Sequence, residues 1–436
     1  MKKMVFKVSV NPKWKLALGF LLLSLPGSFA QTVTYRSDVA PILSQHCVEC
    51  HQKGGIGPFS LTSYEDVAKR AKFIGKVTQS RYMPPFRADR TFQRYANERG
   101  LSETEIATIQ EWVQGGALEG QPEKKSKRKK SASEMEVRGE EESTFVEWSM
   151  QAPYNIPGNA REDFRYFNIP TNLDKDIYVK AIEFKVDNRA ILHHSRVMTD
   201  TTRRMRAIDG LAESDPRIKE FQKIPLEEEF LYGWVPGNDR IEFPSGTAKR
   251  IRKGTDLLFN MHYAPTSISE KDQSGVRFYL TDSASVEREV KTLTLTENDI
   301  TNQPFVLPAE SKPTFYISYG PTQQDISLIS VLPHMHVLGK TFRAFAITSG
   351  GELVPLVKID KWDFDWQMTY QFKKLLFLPK GSTIIVEATY DNTSQNPENP
   401  FQPAKEITYG WNSTDEMMNL VIYYVGYKEG DENKEQ

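Results

Sequence analysis

Leu332-Pro333-His334-Met335-His336-Val337-Leu338-Gly339-Lys340 directly follows an alternating apolar run, Ile326 to Val331. The run predicts a β-strand. Side chains two apart on a strand share a face, roughly 6–7 Å from one another, so this spacing lets both imidazoles close on one ion. One pair is not a site. But the chain carries only seven histidines in 436 residues, and each can be placed against a metal or beside one.

Working outward, the same kind of run recurs. Ile177-Tyr178-Val179, Leu257-Leu258-Phe259, Phe315 to Tyr319, Phe342 to Ile347, Ile384 to Ala388 and Leu420 to Val425 are short, alternating and separated by Gly, Pro and Asn. They predict antiparallel β-sandwiches from about residue 146 to the end. That length exceeds one simple sandwich, so two all-β domains are expected, 146–286 and 287–430.

Ahead of them, residues 31–120 read as a small all-α domain. Ser37-Asp38 opens a segment with Val39, Ile42 and Leu43, and Tyr64 to Gln79 is a second helical stretch. Ser102-x-x-Glu105 is a capping box before Ile106, Ile109, Trp112 and Val113, and Gly115-Gly116 ends that helix. Residues 121–145 read as a solvated tether, with a basic run Lys124 to Lys130 and then Glu140-Glu141-Glu142.

Composition sets the class. Apolar content of 39% and charged content of 26% are globular values. A net charge of −1 gives no electrostatic reason to expect a nucleic-acid partner. Residues 1–30 read as a secretory signal. Lys2, Lys3, Lys7, Lys13 and Lys15 precede the apolar run Leu16 to Leu25, and Ser28-Phe29-Ala30 offers small residues before Gln31. The run is too short for a spanning helix, which needs about 20 residues, and no cysteine follows closely enough for a lipid anchor. A periplasmic or secreted protein with no membrane span after cleavage is expected.

Cys47-Val48-Glu49-Cys50-His51 has the spacing of covalent haem c attachment. Cys47 and Cys50 can add to the two vinyl groups while His51 reaches the iron. A zinc site would need a second ligand pair, and the chain holds only these two cysteines. Met83, in Tyr82-Met83-Pro84-Pro85-Phe86, is the candidate sixth ligand, because the prolines hold a rigid extended loop. His46 is a bystander. The region resembles a small class I cytochrome c.

Five histidines remain. His193-His194 follow Ala190-Ile191-Leu192, His262 lies in Asn260-Met261-His262-Tyr263, and His334 and His336 belong to the opening stretch. Adjacent histidines on a regular strand point to opposite faces, so His193 and His194 chelate together only where the backbone is irregular. Met417, in Asp415-Glu416-Met417-Met418-Asn419, could add a thioether. Imidazole with thioether favours copper. No cysteine is left for a blue-copper site, and no His-Glu-x-x-His zinc helix is present.

The order His-His, His-Tyr, His-x-His-x-x-Gly-Lys and Asp-Glu-Met-x-Asn-Leu resembles the type II copper, ascorbate-dependent monooxygenases, which include peptidylglycine α-hydroxylating monooxygenase and dopamine β-monooxygenase. The resemblance covers roughly residues 150 to 428. It implies two β-sandwich domains, one copper each, facing across a wet cleft. His193, His194 and His262 would hold an electron-relay copper; His334, His336 and Met417 would hold the oxygen-activating copper. Met417 rather than Met418 fits, because it shares a strand face with Asn419 and Val421. The implied reaction hydroxylates a C–H bond of a small organic substrate with O2, each copper supplying one electron. Ascorbate or a redox protein would be the donor, with the fused haem relaying electrons to the first copper.

The substrate residues depart from the family's peptide hydroxylase. Leu332 stands where that enzyme has an arginine for the substrate carboxylate, and Val421 stands where it has a tyrosine. Asn419 matches. Asn260 replaces a glutamine. A glycine-extended peptide is therefore not the expected substrate. The alternative is a non-catalytic haem and copper protein for electron transfer or copper binding.

Overall fold

The structure is a computed structural model that describes residues 32–121, 144–222, 228–238 and 240–436. The expected signal and nearly all of the charged tether lie outside these residues. Val33–Gln436 makes up one unit, mostly β with few helices. Among the described residues no helix is long and apolar enough to cross a membrane.

Helices occupy the first part. A short π-helical turn, Tyr35–Val39, leads into Ala40–His46. The stretch expected as one helix is two, Tyr64–Ala68 and Ala71–Gln79, because Arg70 leaves helical backbone geometry (φ −114°, ψ 10°). The Ser102/Glu105 capping box forms as expected and starts Glu103–Gln114. Gly116 then takes φ +85°, a left-handed turn suited to glycine. Val39, Leu43, Val67, Ile74, Ile109 and Trp112 form a small core of their own.

The β part stacks four main sheets. The outer sheet of the first sandwich runs Phe145–Ser149, Gly275–Thr281, Ile177–Lys185, Thr247–Ile251, Arg288–Glu289. Its inner sheet runs Asp163–Pro170, Asp256–Tyr263, Leu192–Asp200, Glu228–Trp234. The second sandwich has an inner sheet of Lys291–Leu295, Asn419–Gly426, Ile326–His334 and Tyr370–Leu378, and an outer sheet of Thr314–Tyr319, Thr383–Tyr390, Gly339–Ile347 and Leu353–Ile359. Arg288–Glu289 pairs with the first sandwich and Lys291 begins the second, so the chain changes sheets at Val290.

The two inner sheets share an apolar interface. Strand Ile326–His334 is buried at all its positions, as a strand covered on both faces must be. Val331, Leu420 and Ile422 fill the second sandwich. Ile329, Leu332, Val421, Tyr423 and Val425 join the core of the first. Gly233 permits the approach: a Cβ there would lie 2.8 Å from Leu332 Cδ1.

The segment after Met83 docks the helical part on the second sandwich. Asp89 N–H donates to Lys358 O (2.7 Å), Ala96 N–H to Gln371 O (2.8 Å), and Tyr95 OH to Leu356 O (2.8 Å). Arg87 pairs with Asp363 at 2.5 Å. Phe86 and Tyr95 pack on Tyr370, with centroids 5.4 and 5.2 Å away.

Candidate metal centres

His193, His194 and His262 converge. Each offers a nitrogen, and the three lie within 4.8 Å of one another. His193 Nδ1 and His194 Nδ1 are each 3.3 Å from His262 Nδ1. The irregularity that a His-His pair requires is present. The ladder between Leu192–Asp200 and Asp256–Tyr263 slips between Leu192 and His194, leaving His193 as the extra residue. His262 stacks flat on Phe164 (3.9 Å, 11°). Its Nε2 is buried without a hydrogen bond, and Glu162 stops 3.7 Å short.

His334 and His336 also meet, with ring centroids 5.1 Å apart. They do so differently from the strand geometry expected of them. His334 ends its strand, and His336 lies beyond it in the turn before Gly339. Both rings are oriented by carbonyl acceptors. His336 Nδ1–H donates to Asp415 O at 3.1 Å, and His334 Nδ1–H donates to Gln367 Oε1. Gln367 is itself fixed, because its amide donates to Phe364 O at 2.8 Å. An acceptor on Nδ1 sets the tautomer and leaves Nε2 as the ligand atom.

Glu416 ties this turn to Met417. Its carboxylate accepts from the backbone N–H of His336 (3.0 Å), Leu338 (2.7 Å) and Met417 (3.2 Å). The group is fully buried. Burial pushes its pKa up to about 8 against the pull of those three donors. Met417 is buried but belongs to neither sandwich core, whereas Met418 packs inside the second.

Both histidine groups line one cavity. His194, His334, His336, Arg196, Asn260, Leu332, Phe364 and Gln367 contribute to its walls. Its volume is about 30 Å³, room for a few atoms, and it adjoins a wider cleft that shares Phe164, Glu213 and Ser413. Phe364 sits between the groups, 5.8 Å from His194 and 5.9 Å from His336 by ring centroid. Of the three expected substrate residues only Leu332 faces this cavity. Asn419 is not in its lining and donates to Glu297 Oε2 at 3.0 Å, and Val421 packs into the first core. That corrects the expected pocket: the shared apolar interface claims Val421, and a buried carboxylate claims Asn419.

Burial lowers the imidazole pKa values. His193 falls to about 4 and His336 to about 3, while His194 and His334 lie well below the usual value. A lowered pKa keeps the neutral, ligating form at mildly acid pH, so an incoming metal displaces no proton there. Copper affinity of the His334/His336 group should therefore change less than about 3-fold between pH 7.5 and 5.5. Two ordinary imidazoles, each only about one-tenth neutral at pH 5.5, would cost roughly 100-fold. Competition titrations at the two pH values decide this; a 100-fold fall contradicts the burial argument.

In the helical part Cys47 and Cys50 are not joined in a disulfide. Burial pushes the Cys47 thiol up to about 12. His51 Nδ1–H donates to Phe59 O at 3.1 Å, which again leaves Nε2 available. Met83 lines a separate cleft of about 430 Å³ with Phe86, Leu101 and Ile106, and none of Cys47, Cys50 and His51 lines it. His46 bonds Glu105 at 2.9 Å, beside the helix cap.

Sequence reading missed Arg196, Gln367, Phe364 and Glu416. Arg196 was accessible to it: two residues beyond His194 on a strand, it shares that face. Gln367 and Phe364 sit in a loop far along the chain, and no local pattern marks them.

Residues 307–434 match the family model described as "Copper type II ascorbate-dependent monooxygenase, C-terminal domain". A human protein named "Putative DBH-like monooxygenase protein 2" is 24% identical over 220 residues, covering 46% of this chain and 40% of that protein. The chain thus spans well under two thirds of that relative's length. Among solved structures, the major capsid protein P2 of bacteriophage PM2 aligns with 66% of this chain and 100% of its own (TM-score 0.27, 8% identity). PNGase F of Flavobacterium meningosepticum aligns with 64% and 96% (TM-score 0.24, 8% identity). Scores this low carry no argument about fold or function. Residues 307–434 are thus similar to the C-terminal domain of copper type II ascorbate-dependent monooxygenases, and the human relative carries a monooxygenase name.

Proposed function

We propose that the protein is an exported, haem- and copper-dependent monooxygenase: R–H + O2 + 2 e⁻ + 2 H⁺ → R–OH + H2O. The observation that carries the reading is the pair of histidine groups on one cavity, each with ring nitrogens free for a metal. The donor set fits copper. The first group offers three imidazoles, the second offers two imidazoles with the buried thioether of Met417 tied to the His336 turn through the Glu416 carboxylate, and none offers a thiolate. Bound copper would supply one-electron redox chemistry and O2 activation.

The chain's residues have distinct parts in this reading. His193, His194 and His262 hold the electron-relay metal. His334, His336 and Met417 hold the metal that meets O2. Asp415 and Gln367 keep the Nδ1 protons in place, and Glu416 holds the His336 turn against Met417. Phe364 separates the two groups and excludes water from between them. Ascorbate, the reductant in the matched family's description, or a redox protein supplies electrons.

Haem c extends the reading. Cys47 and Cys50 would form the thioether links, with His51 Nε2 on the iron and Met83 as sixth ligand. The absence of a disulfide between Cys47 and Cys50 and the Phe59 hydrogen bond support the first three. Export, inferred from residues 1–30, suits this cofactor. The docking segment supports electron passage, because Arg87 pairs with Asp363, next to Phe364. The tight cavity favours a second reading, a haem and copper relay with no C–H chemistry.

One experiment separates them. Reduced, haem-loaded and copper-loaded protein is mixed with O2 in stopped flow, with and without organic substrate. Haem reoxidation with stoichiometric hydroxylated product supports the oxygenase. Reoxidation in which O2 is consumed but no hydroxylated product forms, with or without substrate, supports the relay. Haem that stays reduced while copper is oxidised removes the intramolecular path.

A further inference from the structure

Arg196 projects from strand Leu192–Asp200 into the cavity shared by the two histidine groups. Its Nε–H and one Nη2–H donate to Asn260 Oδ1, at 3.2 and 3.0 Å. Its Nη1 lies 3.4 Å from His334 Nε2, long for a hydrogen bond and readily given up. No carboxylate among the described residues lies within ion-pair distance of it; the nearest acidic wall group is Glu213, which accepts from Ser413 N–H at 3.3 Å. A guanidinium has five N–H groups. After those contacts one hydrogen remains on each of Nη1 and Nη2, the fork that grips a carboxylate in two parallel bonds.

A second observation is independent of the first. Asn260 Nδ2 is buried, at 2% exposure, and has no hydrogen-bond partner. Asn260 lines the same cavity as Arg196. Buried polar atoms without a partner are uncommon and costly. Arg196 and Asn260 thus both hold donors that lack an acceptor, and what they lack is oxygen.

The cavity's size limits the ligand. About 30 Å³ accepts a carboxylate but not a large body. A wider cleft of about 370 Å³ shares Phe164, Glu213 and Ser413 with it and can hold the rest of a small molecule.

We propose that Arg196, with Asn260, is the anchor for a small organic carboxylate, which is the class of substrate this site takes. The proposal rests on the monooxygenase reading for its word "substrate", but the anion site can be tested without it. Leu332 leaves the second sandwich without a cation at the cavity, and Arg196 supplies one from the first.

The test uses the full haem-loaded chain, with copper and without it. Propionate is the probe and propionamide its neutral counterpart, followed by calorimetry and, in the copper form, by the copper(II) EPR spectrum. Propionate should bind, and Arg196→Met should weaken it at least about tenfold while propionamide responds to neither form. Arg196→Lys should keep part of the affinity. Asn260→Asp, which gives Arg196 an internal carboxylate at nearly constant shape, should abolish propionate binding. Circular dichroism checks each variant's fold. Equal binding of propionate by wild type and Arg196→Met, or none by wild type, overturns the anchor. Copper counted on the same samples keeps the questions apart: a wild type that takes up no copper when it is supplied, yet still binds propionate through Arg196, removes the oxygenase reading and leaves the anchor standing.

Discussion

His336→Ala should lower bound copper from two per chain to one and cut substrate-dependent O2 consumption by more than about a hundredfold. His336 Nδ1 is committed to Asp415 O, so Nε2 is the atom offered to a metal. Alanine removes it and leaves His334 as the sole imidazole of that group. The backbone stays, because Glu416 holds the His336 N–H rather than its side chain. The first group is untouched, so one copper should remain with its affinity unchanged. Metal analysis and an oxygen electrode read the two effects. Two coppers retained in the variant would show that His336 holds none.

Glu416→Ala should have the largest effect on stability, about 3–9 kcal/mol, because it strands three buried backbone N–H groups at roughly 1–3 kcal/mol each. His336, Leu338 and Met417 lose their acceptor together. The second copper should be lost with it, since the same carboxylate joins the turn carrying His336 to the residue expected to supply the thioether. Glu416→Gln keeps an acceptor oxygen and should cost about half as much or less. Urea unfolding of both variants tests this. An alanine variant within about 1 kcal/mol of wild type would mean that water replaces the carboxylate and that Glu416 organises nothing.

Much of the architecture was legible because period-2 patterning is strong where one face is buried. Ile326 to Val331, Phe315 to Tyr319 and Leu420 to Val425 all lie in strands. The same rule fails where the backbone departs from it. His193 and His194 converge only through a register slip, and His336 meets His334 from a turn rather than a strand. No residue pattern in the sequence announces either. The helix break at Arg70 is equally silent.

Site residues divide in the same way. Histidines could be collected because they are few and chemically distinct. The groups that orient them could not, because Gln367, Phe364 and Asp415 lie distant in sequence and are unremarkable in type. Asn419 shows the converse. It matches a family position, yet a buried Glu297 captures its amide, and that partner sits in a short turn between strands, unmarked by any motif. Close packing of the two inner sheets through Gly233 and Leu332 was also beyond sequence reading, since it depends on which faces meet.

The most direct test of the central claim is copper X-ray absorption on the haem-loaded protein, with metal content measured on the same sample. Two coppers per chain, bound mainly by imidazole, with a sulfur scatterer that disappears in Met417→Leu and persists in Met418→Leu, is the predicted result. One copper or none per chain, or a sulfur signal that survives Met417→Leu, would contradict it.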